Sequence, residues 1–166
     1  MTLPDFPNTT NFNWRPSSPP TFEYNCLSWS VHRQDVWIWP DEREQFAWPP
    51  DMARTDTLVN LMSFFMRIGF SDCSSPNLET DFEKIAIYGR DDIPVHVARQ
   101  LPNGVWTSKL GPGIDIEHDT LNVLEHGAYG VVRAIMRKGG RGPWQLPPLH
   151  PGPARLISPS GMPIVR

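Results

Sequence analysis

The chain has 166 residues, 39% of them hydrophobic, which is enough to bury one core of ordinary size and too few for two comfortable ones. A formal charge of -3 with no run of like charges argues against nucleic acid or an anionic membrane surface as a partner. No apolar run approaches the roughly 20 residues that span a bilayer, and the opening MTLPDFPNTTNFNW lacks the basic and apolar regions of a signal peptide. Two cysteines, Cys26 and Cys73, cannot build a framework of bridges, so a reduced, cytoplasmic setting is the simpler expectation.

Proline density separates the ends from the middle. Residues 1–20 carry Pro4, Pro7, Pro16, Pro19 and Pro20 and read as an extended arm without regular structure. Residues 139–166 repeat that composition and read as a Pro/Gly-rich tail. A single domain is therefore expected over 21–138.

Inside it, Asn25 is a good N-cap and CLSWSVHR continues as a short helix, which puts Cys26 in the first turn. The stretch VWIWPDEREQFAWPPDM follows, an ordered loop pinned by Trp37, Trp39 and Trp48. The clearest helix begins near Thr55, carries Leu58, Leu61, Met62, Phe65 and Ile68 on one stripe, and stops at Gly69. Cys73 sits in the turn SDCSSP. Short β-prone runs come next: KIAIY at 84–88, VHVARQL at 95–101 and VWTSKL at 105–110. GIDIEHD reads as a loop with solvated charges, DTLNVLEH as a brief helix and YGVVRAIM as a last strand. Helices first and strands afterwards suggest an α+β fold with helices packed on a small antiparallel sheet.

The helix start and one strand carry the candidate chemistry. A helix N-terminus offers free amide donors and partial positive charge, both of which favour a thiolate at Cys26. Alternation in PVHVARQL puts Val95, Val97 and Leu101 on one face and His96, Ala98 and Gln100 on the less apolar one. In LPNGV, Pro102 and Gly104 suit a three-residue loop with a G1 bulge, so Leu101 pairs with Val105 and Ala98 faces Ser108. Trp106 and Ser108 then join the His96 face. A two-residue turn would instead bring Thr107 and Lys109 there.

A helix-start cysteine, a strand histidine and a polar residue on the neighbouring strand resemble the core of the papain-like cysteine hydrolases in their NlpC/P60 branch, in NCLSW and HVARQLPNGVWTSKLG. The set YNCLSW, HVARQL, WTSKLG and DIEH also resembles an uncharacterised bacterial domain family, over about Glu23 to Arg137. The first likeness implies a papain-like architecture in which Cys26 is the nucleophile, His96 the base and Ser108 the third residue. Asp115 or His118 are alternatives for that third place. Tyr24 and Asn25, with Gln100, Trp106 and Lys109, are the implied oxyanion and substrate-binding residues. The chain departs from the pattern with Asn25 where the family has Asp and Ala98 where it has Gly.

The implied function is thiol hydrolysis or acyl transfer on the amide bond of a peptide or protein, with no cofactor. The alternative is a non-catalytic interaction module, such as a toxin or immunity component, with the loop tryptophans as anchors. Asp115, Glu117 and His118, with His96 or His126, lack any established metal-ligand spacing, so no metal is expected. Arg99 and Lys109 read either as ordinary exposed charges or as attractors of an acidic substrate group.

Overall fold

The computed structural model describes residues 3–152. Its frame is one seven-stranded sheet built from β1 (Trp14–Ser18), β2 (Ser71–Cys73), β3 (Phe82–Arg90), β4 (Ile93–Gln100), β5 (Trp106–Lys109), β6 (Asp115–His118) and β7 (Val131–Gly139). The strands lie in the order β1-β6-β5-β4-β3-β7-β2, and every pairing is antiparallel. Two α-helices accompany the sheet, α1 (Cys26–Ser30) and α2 (Leu58–Ile68), together with one 3-10 turn at Leu121–Leu124. This corrects the expected papain-like arrangement of helices packed on a small sheet. The sheet dominates, because helices of 5 and 11 residues have too little surface to organise the core.

Both faces of the sheet are covered. On one, Ile85, Ile87, Val97 and Met136 pack against Leu27 of α1, Leu61, Phe64 and Phe65 of α2, and Trp39 and Trp48 of the intervening loop. On the other, Ala86, Tyr88, Ala98, Trp106 and Ile116 pack beneath Phe6, Trp14, Leu124 and Tyr129. His96 therefore does not face a polar surface; it is wholly buried.

The N-terminal residues close the second face. Asp5 accepts a hydrogen bond from Ala128 N–H at 2.9 Å, and a Cβ at Gly127 would stand 2.0 Å from the Asp5 carbonyl oxygen, so only glycine permits this approach. Asn8 adds bonds to the carbonyls of Asn122 and Glu125. The segment read as an arm without regular structure thus contains β1. Pro16 is tolerated there because β1 is an edge strand, with one side of its backbone unpaired, and the register shifts between Pro16 and Ser18. At the other end Trp144, Leu146 and Leu149 pack on the first core, and His150 exchanges backbone bonds with Trp48. The rest of the expected tail, 153–166, lies outside the described residues.

Local signals translate closely elsewhere. Asn25 caps α1 through Ser28 N–H, and Thr57 caps α2, which ends on Gly69 at φ 109°. The β4–β5 hairpin has the three-residue register: Leu101 N–H bonds Val105 O, Arg99 pairs with Thr107 and Gln100 with Trp106. The segment GIDIEHD is the exception. It forms β6 instead of a solvated loop, and Asp115 and His118 are buried. Among the described residues, no helix is long and apolar enough to cross a membrane.

The loop tryptophans belong mostly to the core. Trp48 stacks on Phe64 at 4.9 Å and donates to Ala53 O, while Trp39 donates to Asp56. Replacing Trp48 by alanine is expected to cost about 3–5 kcal/mol of unfolding free energy, read from urea denaturation. A loss below about 1 kcal/mol would show that the loop is not part of the core.

Candidate active site

The site forms where two strands part. β4 and β5 are paired only at Arg99–Thr107 and Gln100–Trp106; toward His96 and Ser108 that pairing stops. α1 packs against both strands here. There the Cys26 sulfur meets the backbone N–H groups of Val97, Leu27 and Cys26 itself. Burial pushes the thiol up to about 12, outweighing those three donors and the Lys109 ammonium, all of which favour the thiolate. The resting group is a thiol with no exposed surface.

His96 lies on the opposite face of β4 from Val97, stacked on Tyr129 with ring centroids 4.1 Å apart and planes within 5°. Burial raises the Tyr129 phenol well above its ordinary value. Cys26 belongs with Val97 to the core on the α1 side, His96 stacks on Tyr129 on the other side, and no hydrogen bond joins thiol and imidazole. The Nδ1 of His96 is buried without a partner, and its Nε2 lies 2.9 Å from Ser108 Oγ.

Ser108 continues the relay. Its Oγ is 2.9 Å from His118 Nε2, and His118 Nδ1 is 2.9 Å from the Thr120 carbonyl. Burial holds His96 well below the usual imidazole range, with His118 adding to the effect, and lowers His118 to about 4. Both rings are therefore neutral at pH 7, and the direction of every proton follows. The Thr120 carbonyl can only accept, so His118 Nδ1–H donates to it and His118 Nε2 is an acceptor. Ser108 O–H donates to that nitrogen, and Ser108 Oγ accepts from His96 Nε2–H. The Nδ1 of His96 is left as a bare, unpaired lone pair.

The remaining candidates are placed otherwise. Asp115 lies on the α1 face of the sheet, opposite His96, and accepts from Tyr24 O–H at 2.5 Å and from Ser18 O–H. It cannot orient the His96 ring; it orients Tyr24. Burial raises the Tyr24 phenol first, and its bond to Asp115 adds to this. Asn25 spends its side chain on the α1 cap and on both backbone groups of Ile38. Lys109 donates to Thr21 O and Gly113 O, and its ammonium sits 5.2 Å from the centre of the Tyr24 ring. Gln100 ties down the hairpin through Pro76 O and Gly104 O. Trp106 is core. His118, read only as an alternative, proves to anchor the relay. Its signal was the alternation of Ile114, Ile116 and His118 in IDIEH. Tyr129 carried no comparable signal.

Nothing opens onto the thiol among the cavities described. One of about 370 Å³ is lined by Glu42, Arg54 and His150, and one of about 610 Å³ by Met62, Cys73 and Val132; neither includes Cys26 or His96. No group of three or more His, Cys, Asp or Glu among the described residues is arranged to hold a metal ion.

Two measurements check this geometry. Long-range 15N correlation NMR at pH 7 should show His96 as the Nε2–H tautomer and His118 as the Nδ1–H tautomer; the reverse pair would break the deduced relay. Stability should also fall in acid. The unfolded chain takes up a proton on His118 near 6.5, whereas the folded one resists until about 4, so the contribution is complete above 6.5 and disappears as pH drops toward 4. That difference corresponds to about 3 kcal/mol. Urea midpoints that stay level from pH 7 to 4 would exclude a buried neutral His118.

Comparison with known proteins adds one result. No curated protein and no solved structure matches the chain. A family model described as a domain of unknown function (DUF7689) matches residues 15–137, from β1 into β7, so it takes in every member of the Cys26–His96–Ser108–His118 cluster. The chain belongs to that family.

Proposed function

We propose that the domain is a thiol hydrolase or acyl-transfer enzyme acting on amide bonds of a peptide or protein. The observation that carries this reading is the His96 ring: one nitrogen is held by Ser108, itself backed by His118, and the other is bare and unpaired on the strand whose Val97 N–H meets the helix-start cysteine. A buried acceptor without a partner costs about 1–3 kcal/mol, so its persistence favours a role as a base. The other support is the set of backbone amides at the Cys26 sulfur, which can stabilise a developing oxyanion.

The chemistry follows from these roles. Cys26 Sγ attacks the amide carbonyl carbon while its proton passes to His96 Nδ1. The C–N bond then breaks, with that proton moving to the departing nitrogen, and a thioester remains on Cys26. Water, deprotonated by the same nitrogen, attacks the thioester and releases a carboxylic acid with the thiol restored. Ser108 and His118 keep the ring oriented throughout. Substrate entry requires the sealed turn around Cys26 to open, which also exposes the sulfur to solvent and relieves the burial that holds it as a thiol.

A non-catalytic interaction module is the competing reading, and the seal over Cys26 is what favours it. Alkylation with iodoacetamide separates the two. In a Cys73→Ser background at pH 7, Cys26 should be labelled without unfolding, and His96→Ala should slow labelling about tenfold or more while circular dichroism stays unchanged. Labelling that ignores residue 96, or that occurs only in denaturant, would favour the module.

A further inference from the structure

Arg99 is a buried charge without an acid. It is 8% exposed, yet among the described residues no carboxylate lies within ion-pair distance of it, and its Nε has no hydrogen-bond partner. Its one close contact is aromatic, with the guanidinium carbon 4.9 Å from the centre of the Trp29 ring. Trp29 is itself fixed by a bond from its Nε1–H to Thr107 Oγ1, and Thr107 pairs with Arg99 across the strands. The side chain is therefore held in place and not merely tucked away.

A second cation shares this end of β4. Arg141 reaches the same end of β4, donating to Gln100 O at 3.3 Å, and its charge acts against that of Arg99. The nearest compensating acids act only at a distance, and Glu83 is already engaged by His32 Nε2 at 2.9 Å and Trp144 Nε1–H at 2.7 Å. A desolvated guanidinium without an ion-pair partner is costly unless an anion joins it.

We propose that Arg99, beneath Trp29, and Arg141, at the same end of β4, form a binding site for the carboxylate group of a ligand. A planar carboxylate matches the donor edge of a guanidinium whose flat face is covered by an indole. The field of Glu83 and Asp115 weighs against a doubly charged phosphate more than against a single carboxylate. The site stands whether or not Cys26 is a nucleophile, because none of its groups belongs to the Cys26–His96 cluster.

The test uses the intact chain, N-acetylglycine as the carboxylate probe, and inorganic phosphate and sodium chloride as comparisons. In 15N spectra of the arginine Nε–H groups, one resonance, assigned by its disappearance in Arg99→Gln, should shift saturably with N-acetylglycine. Thermal denaturation should show a stabilisation that Arg99→Gln abolishes and Arg99→Lys weakens about tenfold in ligand affinity. No shift with N-acetylglycine, an equal shift with chloride, tighter binding of phosphate, or full binding by Arg99→Gln would each overturn the proposal. Should Arg99→Gln fail to fold, the arginine spectra of the parent chain still decide, with the Arg99→Lys variant supplying the assignment.

Discussion

Where β4 and β5 part, the sheet loses a row of strand-to-strand hydrogen bonds, and α1 packs against both strands with Cys26 at Val97 N–H. Much of the molecule depends on that packing. A sulfur atom sits against Val97 N–H at this point, and the helix that carries it is anchored by Asn25 to the loop at Ile38. Trp29, one turn along, covers the neighbouring part of β4 and β5. The same parting lets Ser108, on β5, reach the His96 ring along the face the two residues share.

The cost of that arrangement lies in buried polar groups. His96, Ser108 and His118 are all fully buried, and the bonds of their relay satisfy every side-chain polar atom among them except His96 Nδ1. Such networks are favourable only when their members are satisfied. Here one end is closed by the Thr120 carbonyl and the other left open, which polarises the whole chain of bonds in a single direction. Tyr129 supports the open end by stacking, itself held by Phe6 at 4.9 Å. The N-terminal segment, through Phe6 and Asp5, thus contributes to the position of a ring on β4.

Several of these features could be read in the residues themselves. The cap at Asn25, the stripe and glycine stop of α2, and the loop LPNGV each depend on a few neighbouring positions, and each formed as expected. The hairpin register mattered most, since Pro102 and Gly104 together determined that Ser108 would share a face with His96. Proline misled at residue 16, because an edge strand tolerates what a central strand cannot. The charges of DIEH misled as well: Asp115 is buried by Ser18 of β1 and by Tyr24, which lie far away in the chain, and His118 bonds Ser108 of β5.

From its own order the chain determined β3, β4, β5 and β7, its caps and the placing of His96 beside Ser108, because turn geometry and alternation act over a few residues. Only the tertiary structure decided that both faces would be covered, that His118 would anchor the relay, that Cys26 would be a sealed thiol, and that Arg99 would be buried without an acid. Those outcomes rest on burial and on contacts between distant segments, and desolvation is a property of the surroundings that a residue's own neighbours do not report.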